Sequence, residues 1–150
     1  MVIVYCCDVG SVKTGAFGWV RACRVEGRTV VKGNSHIDDL VRLLKKDIDE
    51  GKRIAIGMEA PLFIPVPTRS RDLSCGRDGE KDRSCFAPTG GYVATLGLHE
   101  TAYIFGQLRG VPSRFTLDWA RWNSEFLAED VLIWEAFVNG DAHTQTGNHC

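Results

Sequence analysis

Three acidic residues stand at or near the ends of apolar runs: Asp8 after Val2–Cys7, Glu59 after Ile54–Met58, and Glu135 after Val131–Trp134. A carboxylate at the end of a buried strand is costly unless it is paired or binds a metal. Carboxylates whose strand ends converge repel one another, which raises some of their pKa values unless a cation sits between them. Oxygen donors with few histidines suit Mg²⁺ or Mn²⁺ better than zinc. Two such ions about 4 Å apart activate a water and stabilise the leaving oxygen of a phosphodiester. Asp8, Glu59 and Glu135 are therefore the candidate metal ligands and catalytic residues. The competing reading has Glu59 and Glu135 facing outward and pairing with arginines.

Arginines of the right kind lie in one long segment. Residues 61–92 hold Arg69, Arg71, Arg77 and Arg83, together with four of the five prolines, and show no periodicity. The planar guanidinium fork matches phosphate oxygens, so these four are the candidate substrate-binding residues. Asp72, Asp78, Glu80 and Asp82 nearly balance these four and Lys81, which also describes a solvated, self-neutralising charge run. An irregular loop of this length in a compact domain is either functional or disordered.

The elements that must position these groups follow in order. Residues 2–9 read as a strand, Gly10–Gly15 as a hairpin turn, and 16–25 as a second strand with Phe17 and Trp19 on one face. Glu26-Gly27-Arg28 is a tight-turn signal before a third strand at Thr29-Val30-Val31, completing an antiparallel meander. Ile37, Leu40, Val41, Leu44 and Ile48 recur at helical spacing, which predicts an amphipathic helix over 36–50, capped by Asn34 or Ser35 and stopped at Gly51. Its charges, Asp47 among them, read as a solvated face. A fourth strand covers 53–61, and the helix before it suits a crossover into parallel pairing with the first strand. A mostly apolar helix is expected over 92–109, a second helical piece over 117–127, and a fifth strand over 131–138. Trp119, Trp122 and Phe126 read as core or as an interaction surface.

The totals describe one ordinary domain over residues 1–150. Hydrophobic residues make up 44%, charged residues 25%, and the net charge is −1. That charge gives no global pull toward nucleic acid, so an anionic partner would need a local basic patch. No apolar run reaches membrane-spanning length and no cleavable leader is recognisable, which predicts a cytoplasmic protein without membrane association. The six cysteines are then expected as reduced thiols. Cys75, Cys85 and His99 match no usual zinc-finger spacing.

Strand, strand, strand, helix, strand, helix, strand, with Asp8 closing the first strand and Glu59 the fourth, resembles the ribonuclease H-like fold. More narrowly, the chain resembles a group of uncharacterised proteins in that superfamily described as predicted nucleases (the DUF429-like group). The residues that carry this are Asp8-Val9-Gly10 with Gly15 and Trp19, Met58-Glu59-Ala60-Pro61-Leu62, Gly76-Arg77 through Glu80 and Arg83, and Trp134-Glu135-Ala136-Phe137. The resemblance implies a mixed five-stranded sheet and divalent-metal-dependent phosphodiester chemistry on nucleic acid. It also implies a further helix after the last strand, which would often supply another acid. Here that helix is expected to be missing, with Asp141, near His143 and His149, a weak substitute.

Two other classes compete. A non-catalytic binding module would keep the scaffold and not the chemistry, since fold does not imply function. An actin-like phosphotransferase would use Asp8-Val9-Gly10 and Thr14-Gly15 around phosphate, but 150 residues leave no room for its second lobe.

Overall fold

A computed structural model of the chain describes residues 1–64, 66–76, 86–111, 114–124 and 130–136. It is a mixed α/β structure with one six-stranded sheet, ordered β3-β2-β1-β4-β6-β5.

The strands β1 (Val2–Asp8), β2 (Gly18–Val25) and β3 (Arg28–Asn34) form the expected antiparallel meander. Glu26 and Gly27 have φ of 49° and 77° and link paired Val25 and Arg28. Two successive positive φ angles give the hairpin turn whose twist suits its strands, which is why a glycine stands there. β3 is exposed along its whole length, as an edge strand carrying Arg28 and Lys32 can be.

Helix α1 (Ile37–Asp49) buries Ile37, Leu40, Val41, Leu44 and Ile48 against the sheet. The residue at its N-cap is His36, not Asn34 or Ser35, and no side chain caps the helix amides. Asn34 instead accepts from the His36 amide at 2.8 Å, while the Trp19 indole donates to the His36 carbonyl at 2.9 Å. The start of α1 is thus fixed to β2 by a side chain of the sheet.

The crossover returns as β4 (Arg53–Met58), parallel to β1 with Cys7 opposite Met58. Residues Ile54 to Met58 are all buried, because β4 is central and covered on both faces. Ile54, Ile56 and Met58 pack with α1 and α2 (Pro88–Gln107). Ala55 packs with Trp122 of α3 (Trp119–Ser124) and Leu132 on the other face. Arg53 stacks its guanidinium 4.1 Å from the centre of the Trp122 ring and donates to the Trp122 carbonyl. Trp122 is therefore core, whereas Trp119 is exposed and Phe126 lies outside the described residues.

The sheet has one strand more than expected. β5 (Arg114–Thr116) pairs parallel with β6 (Asp130–Glu135), which pairs parallel with β4. Three residues at a sheet edge are too short to show a period-two pattern. Helix α2 begins at Pro88 instead of residue 92, because proline is accommodated in the first helical turn. The final helix and its possible acids, Asp141 with His143 and His149, fall outside the described residues. No helix among the described residues is long and apolar enough to cross a membrane.

Asp47 is not on a solvated face. It is 2% exposed and sits under the sheet. Tyr5 donates to it at 2.6 Å, Arg21 at 2.7 and 3.1 Å, and Lys52 at 3.0 Å. Burial alone would raise its pKa, yet the bonds from Arg21, Tyr5 and Lys52 hold it below the usual carboxylate range. Helical spacing misplaces Asp47 because the apolar stripe on α1 is wide enough to take in its position.

Candidate active site

Asp8 is the last residue of β1 and Glu59 follows the last residue of β4. The strands are parallel, and the Glu59 amide continues the ladder by donating to the Cys7 carbonyl at 2.8 Å. Equal register on neighbouring parallel strands places Asp8 and Glu59 about 5 Å apart along the hydrogen-bonding direction, measured between backbones. Both are exposed. Both line one cleft of about 550 Å³ that also involves Cys6, Trp19, Asn34 and Ala136. Clefts at the carboxyl ends of parallel strands are where α/β sheets bind ligands.

The turn after Asp8 is closed by its own hydrogen bonds. Ser11 accepts from the Thr14 amide at 3.4 Å, and Gly15 takes φ of 74°. A Cβ on Gly10 would lie 2.4 Å from the Ala16 carbonyl oxygen, so the two arms of the turn approach too closely for any side chain there.

Glu135 is the last residue of β6 and pairs with Met58. Its Oε1 accepts from the amides of Leu62 at 2.6 Å and Phe63 at 3.3 Å. It thereby satisfies the backbone after Pro61, where the chain has left the sheet. The structure therefore brings Asp8 and Glu59 together on one cleft and gives Glu135 a backbone-fixing role beside it. Among the described residues, no three His, Cys, Asp or Glu groups are arranged to hold a metal ion.

The arginines divide as well. Arg69 is paired with Asp72 at 2.5 Å, and Arg71 is 3.9 Å from the same carboxylate. Neither lines the cleft. Arg77 and Arg83 lie outside the described residues, as does Cys85. Cys6, Cys7 and Cys23 are free thiols, and burial pushes the Cys7 thiol well above its usual range.

One acid near Asp8 has no counterpart in the sequence expectations. Glu100, on α2, is 6% exposed, and its Oε2 has no hydrogen-bond partner. Burial raises its pKa to about 7; the Gly10 amide works against that and the Asp8 charge adds to it. Helix α2 reaches this position because Gly97 lets it close on the chain after β4. A Cβ on Gly97 would lie 2.3 Å from the Ala60 Cβ. The available signal was that Glu100 is the one carboxylate in the apolar segment 92–109.

Searches of protein families, curated proteins and solved structures return no match to the chain.

Proposed function

We propose that the chain is a ribonuclease H-like domain that hydrolyses phosphodiester bonds of nucleic acid with Mg²⁺ or Mn²⁺. The observation that carries this reading is the pairing of Asp8 and Glu59 on one cleft at the carboxyl ends of adjacent parallel strands. The order β3-β2-β1-β4-β6, a meander followed by parallel strands, supports the fold assignment.

The donor set fits a hard cation, since Mg²⁺ is commonly held by one or two carboxylates plus water and substrate phosphate. Asp8 and Glu59 are the residues that would hold it. The cation would supply charge neutralisation at phosphorus and a water of lowered pKa. The chain's own part is to fix both carboxylates by ladder hydrogen bonds before substrate arrives. In the reaction a water oxygen adds to phosphorus and the bridging P–O bond breaks. A phosphomonoester and a hydroxyl result.

The test is a cleavage panel of single-stranded, duplex, hybrid and branched nucleic acids with Mg²⁺ and with Mn²⁺, using the full chain. Cleavage that is lost with a chelator and in Asp8→Asn is expected. Turnover equal to that of Asp8→Asn on every substrate would discard the nuclease reading. The use of Glu135 on backbone amides favours a second reading, a scaffold that binds nucleic acid without cutting it. Salt-sensitive binding in the same panel with no cleavage would select it.

A further inference from the structure

Helix α2 carries an apolar stripe that the core only partly covers. Leu98, Thr101, Ala102 and Phe105 recur at helical spacing and share one face. Across from that face stands the edge of the sheet, with Phe115 of β5 and Ile133 of β6. At one end the two walls meet, where the Phe105 and Phe115 rings stack with their centres 4.4 Å apart. Toward the other end the stripe stays open: Leu98, two turns back along α2, is 47% exposed. Between the walls lies a cavity of about 410 Å³, also lined by Leu62. The Leu62 amide donates to Glu135, so the acid at the end of β6 fixes this part of the lining as well. The cavity shares no described lining residue with the Asp8–Glu59 cleft.

The lining dictates the class of guest. Concave sites of ~300–1,000 Å³ with mainly apolar walls and a few polar groups are those that take small molecules. Seven of the nine described lining residues are apolar, so a charge would be costly to bury there. The stacked phenylalanines offer ring surface to a further flat ring. Thr101 supplies a polar group. It is 9% exposed, and its hydroxyl has no hydrogen-bond partner. A buried hydroxyl in that condition is destabilising, where a valine of the same shape is not. In the rotamer present the oxygen is enclosed by protein. Threonine on a helix takes either of two χ1 rotamers, and the step between them exchanges hydroxyl and methyl and brings the donor to the cavity wall.

We infer that this cavity binds an uncharged, mainly apolar small molecule with a flat ring system and one hydrogen-bond acceptor, to which the Thr101 hydroxyl donates.

The experiment titrates the full chain with prodan, an uncharged fluorescent naphthyl ketone whose emission reports polarity and hydrogen bonding at the ketone. Wild type, Ala102→Phe, Thr101→Val and Val31→Ser are compared, with thermal unfolding of each chain measured without the dye. The expected result for wild type is saturable binding with emission at shorter wavelength than in water. Ala102 is exposed at the cavity wall, so Ala102→Phe should fold as wild type does and lose the binding. Thr101→Val should bind about 2–10-fold more weakly, the worth of one neutral hydrogen bond. Its bound dye should emit at still shorter wavelength, because the ketone has lost its donor. Without dye, Thr101→Val should unfold at or above the wild-type temperature. Val31→Ser changes an exposed valine on the edge strand β3 and should leave the binding as it is. A wild-type chain that does not bind prodan saturably overturns the site. So does binding that survives Ala102→Phe or is lost in Val31→Ser. Unchanged affinity and emission in Thr101→Val overturn the role of its hydroxyl.

Discussion

Asp47 and Glu100 show how one sheet treats a buried acid in two ways. Asp47 lies where α1 crosses β1 and β2, and Tyr5, Arg21 and Lys52 converge on it. Tyr5 and Arg21 are cross-strand partners, so two donors already stand side by side on the sheet before α1 packs. The network ties three elements together and leaves the carboxylate no free oxygen. Glu100 lies at the other extreme, beside a turn and another acid, with an oxygen bonded to nothing. A paired buried charge is a structural device, because removing a partner strands the rest. An unpaired one is a stability cost, and such costs persist where function uses them. Cutting each acid in turn should therefore give opposite results.

The largest effect belongs to Asp47. Asp47→Ala leaves Arg21, Lys52 and Tyr5 without their acceptor. Breaking a buried ion pair costs ~3–5 kcal/mol. Arg21 and Lys52 retain 16% and 21% exposure, which places this case toward the lower end of that range. Urea unfolding should show the loss as a lower midpoint with little change in slope. A change below about 1 kcal/mol would mean that water replaces the carboxylate. Acid should act in the same direction. The folded pKa is depressed, so the contribution is present above the ordinary value of 3.8 and is lost as pH falls through the lowered one.

How α2 reaches Glu100 gives the next effect. Gly97→Ala sets a methyl group against the Ala60 Cβ, and Ala60 is fully buried. Overpacking of this kind costs ~1–3 kcal/mol. The helix must shift, and Glu100 with it, so the midpoint of urea unfolding should fall. Gly106→Ala is the control on the same helix, since a Cβ there meets nothing within 4 Å. It should be neutral or stabilising, as alanine is the better helix former by about 1 kcal/mol.

These two regions also mark where the sequence was legible. Period and turn chemistry recover the meander, α1 and the parallel return of β4, because Val2–Cys7 and Ile54–Met58 carry their burial in residue type. The placement of Asp8 and Glu59 at neighbouring strand ends follows from those runs. Partner choice was not legible. Nothing near Asp47 in sequence announces Tyr5 or Arg21, which are 42 and 26 positions away. Glu135 read as a ligand because its own run ends like the other two, while the amides of Leu62 and Phe63 that occupy it lie more than 70 positions earlier. Glu100, a lone acid in an apolar helix, carries no periodic signal. β5 was too short to announce itself.

The pH response of Glu100 should oppose that of Asp47. Its folded pKa is raised to about 7 from the ordinary 4.5 by burial first and by Asp8 second. Its contribution is therefore fully present below pH 4.5 and is lost as pH rises through about 7. Glu100→Gln removes that loss. The new amide nitrogen also lacks a partner, so the net gain at pH 8 is limited to about 1–2 kcal/mol. Stability measured at intervals from pH 4 to 8 should fall for wild type and stay flatter for the variant. Parallel curves would mean that Glu100 is not ionising in the folded chain over this range.

The smallest effect separates a ligand from a backbone cap. Glu135→Gln keeps an oxygen for the Leu62 and Phe63 amides and loses only its charge. A hydrogen bond to a charged group is worth ~1.5–3 kcal/mol against ~0.5–1.5 for a neutral one, so the difference should be about 1 kcal/mol. Glu135→Ala, which removes the acceptor, should cost more than Glu135→Gln by the desolvation of the two amides. Neither change should alter Mn²⁺ affinity if Glu135 serves the backbone alone. A drop in affinity in Glu135→Gln, at equal stability, would return Glu135 to the ligand set beside Asp8. It would also make the bonds to Leu62 and Phe63 the means of orienting that ligand. The same measurement then decides whether the strand-end acids act as a set, as their shared sequence setting suggests, or divide between chemistry and support.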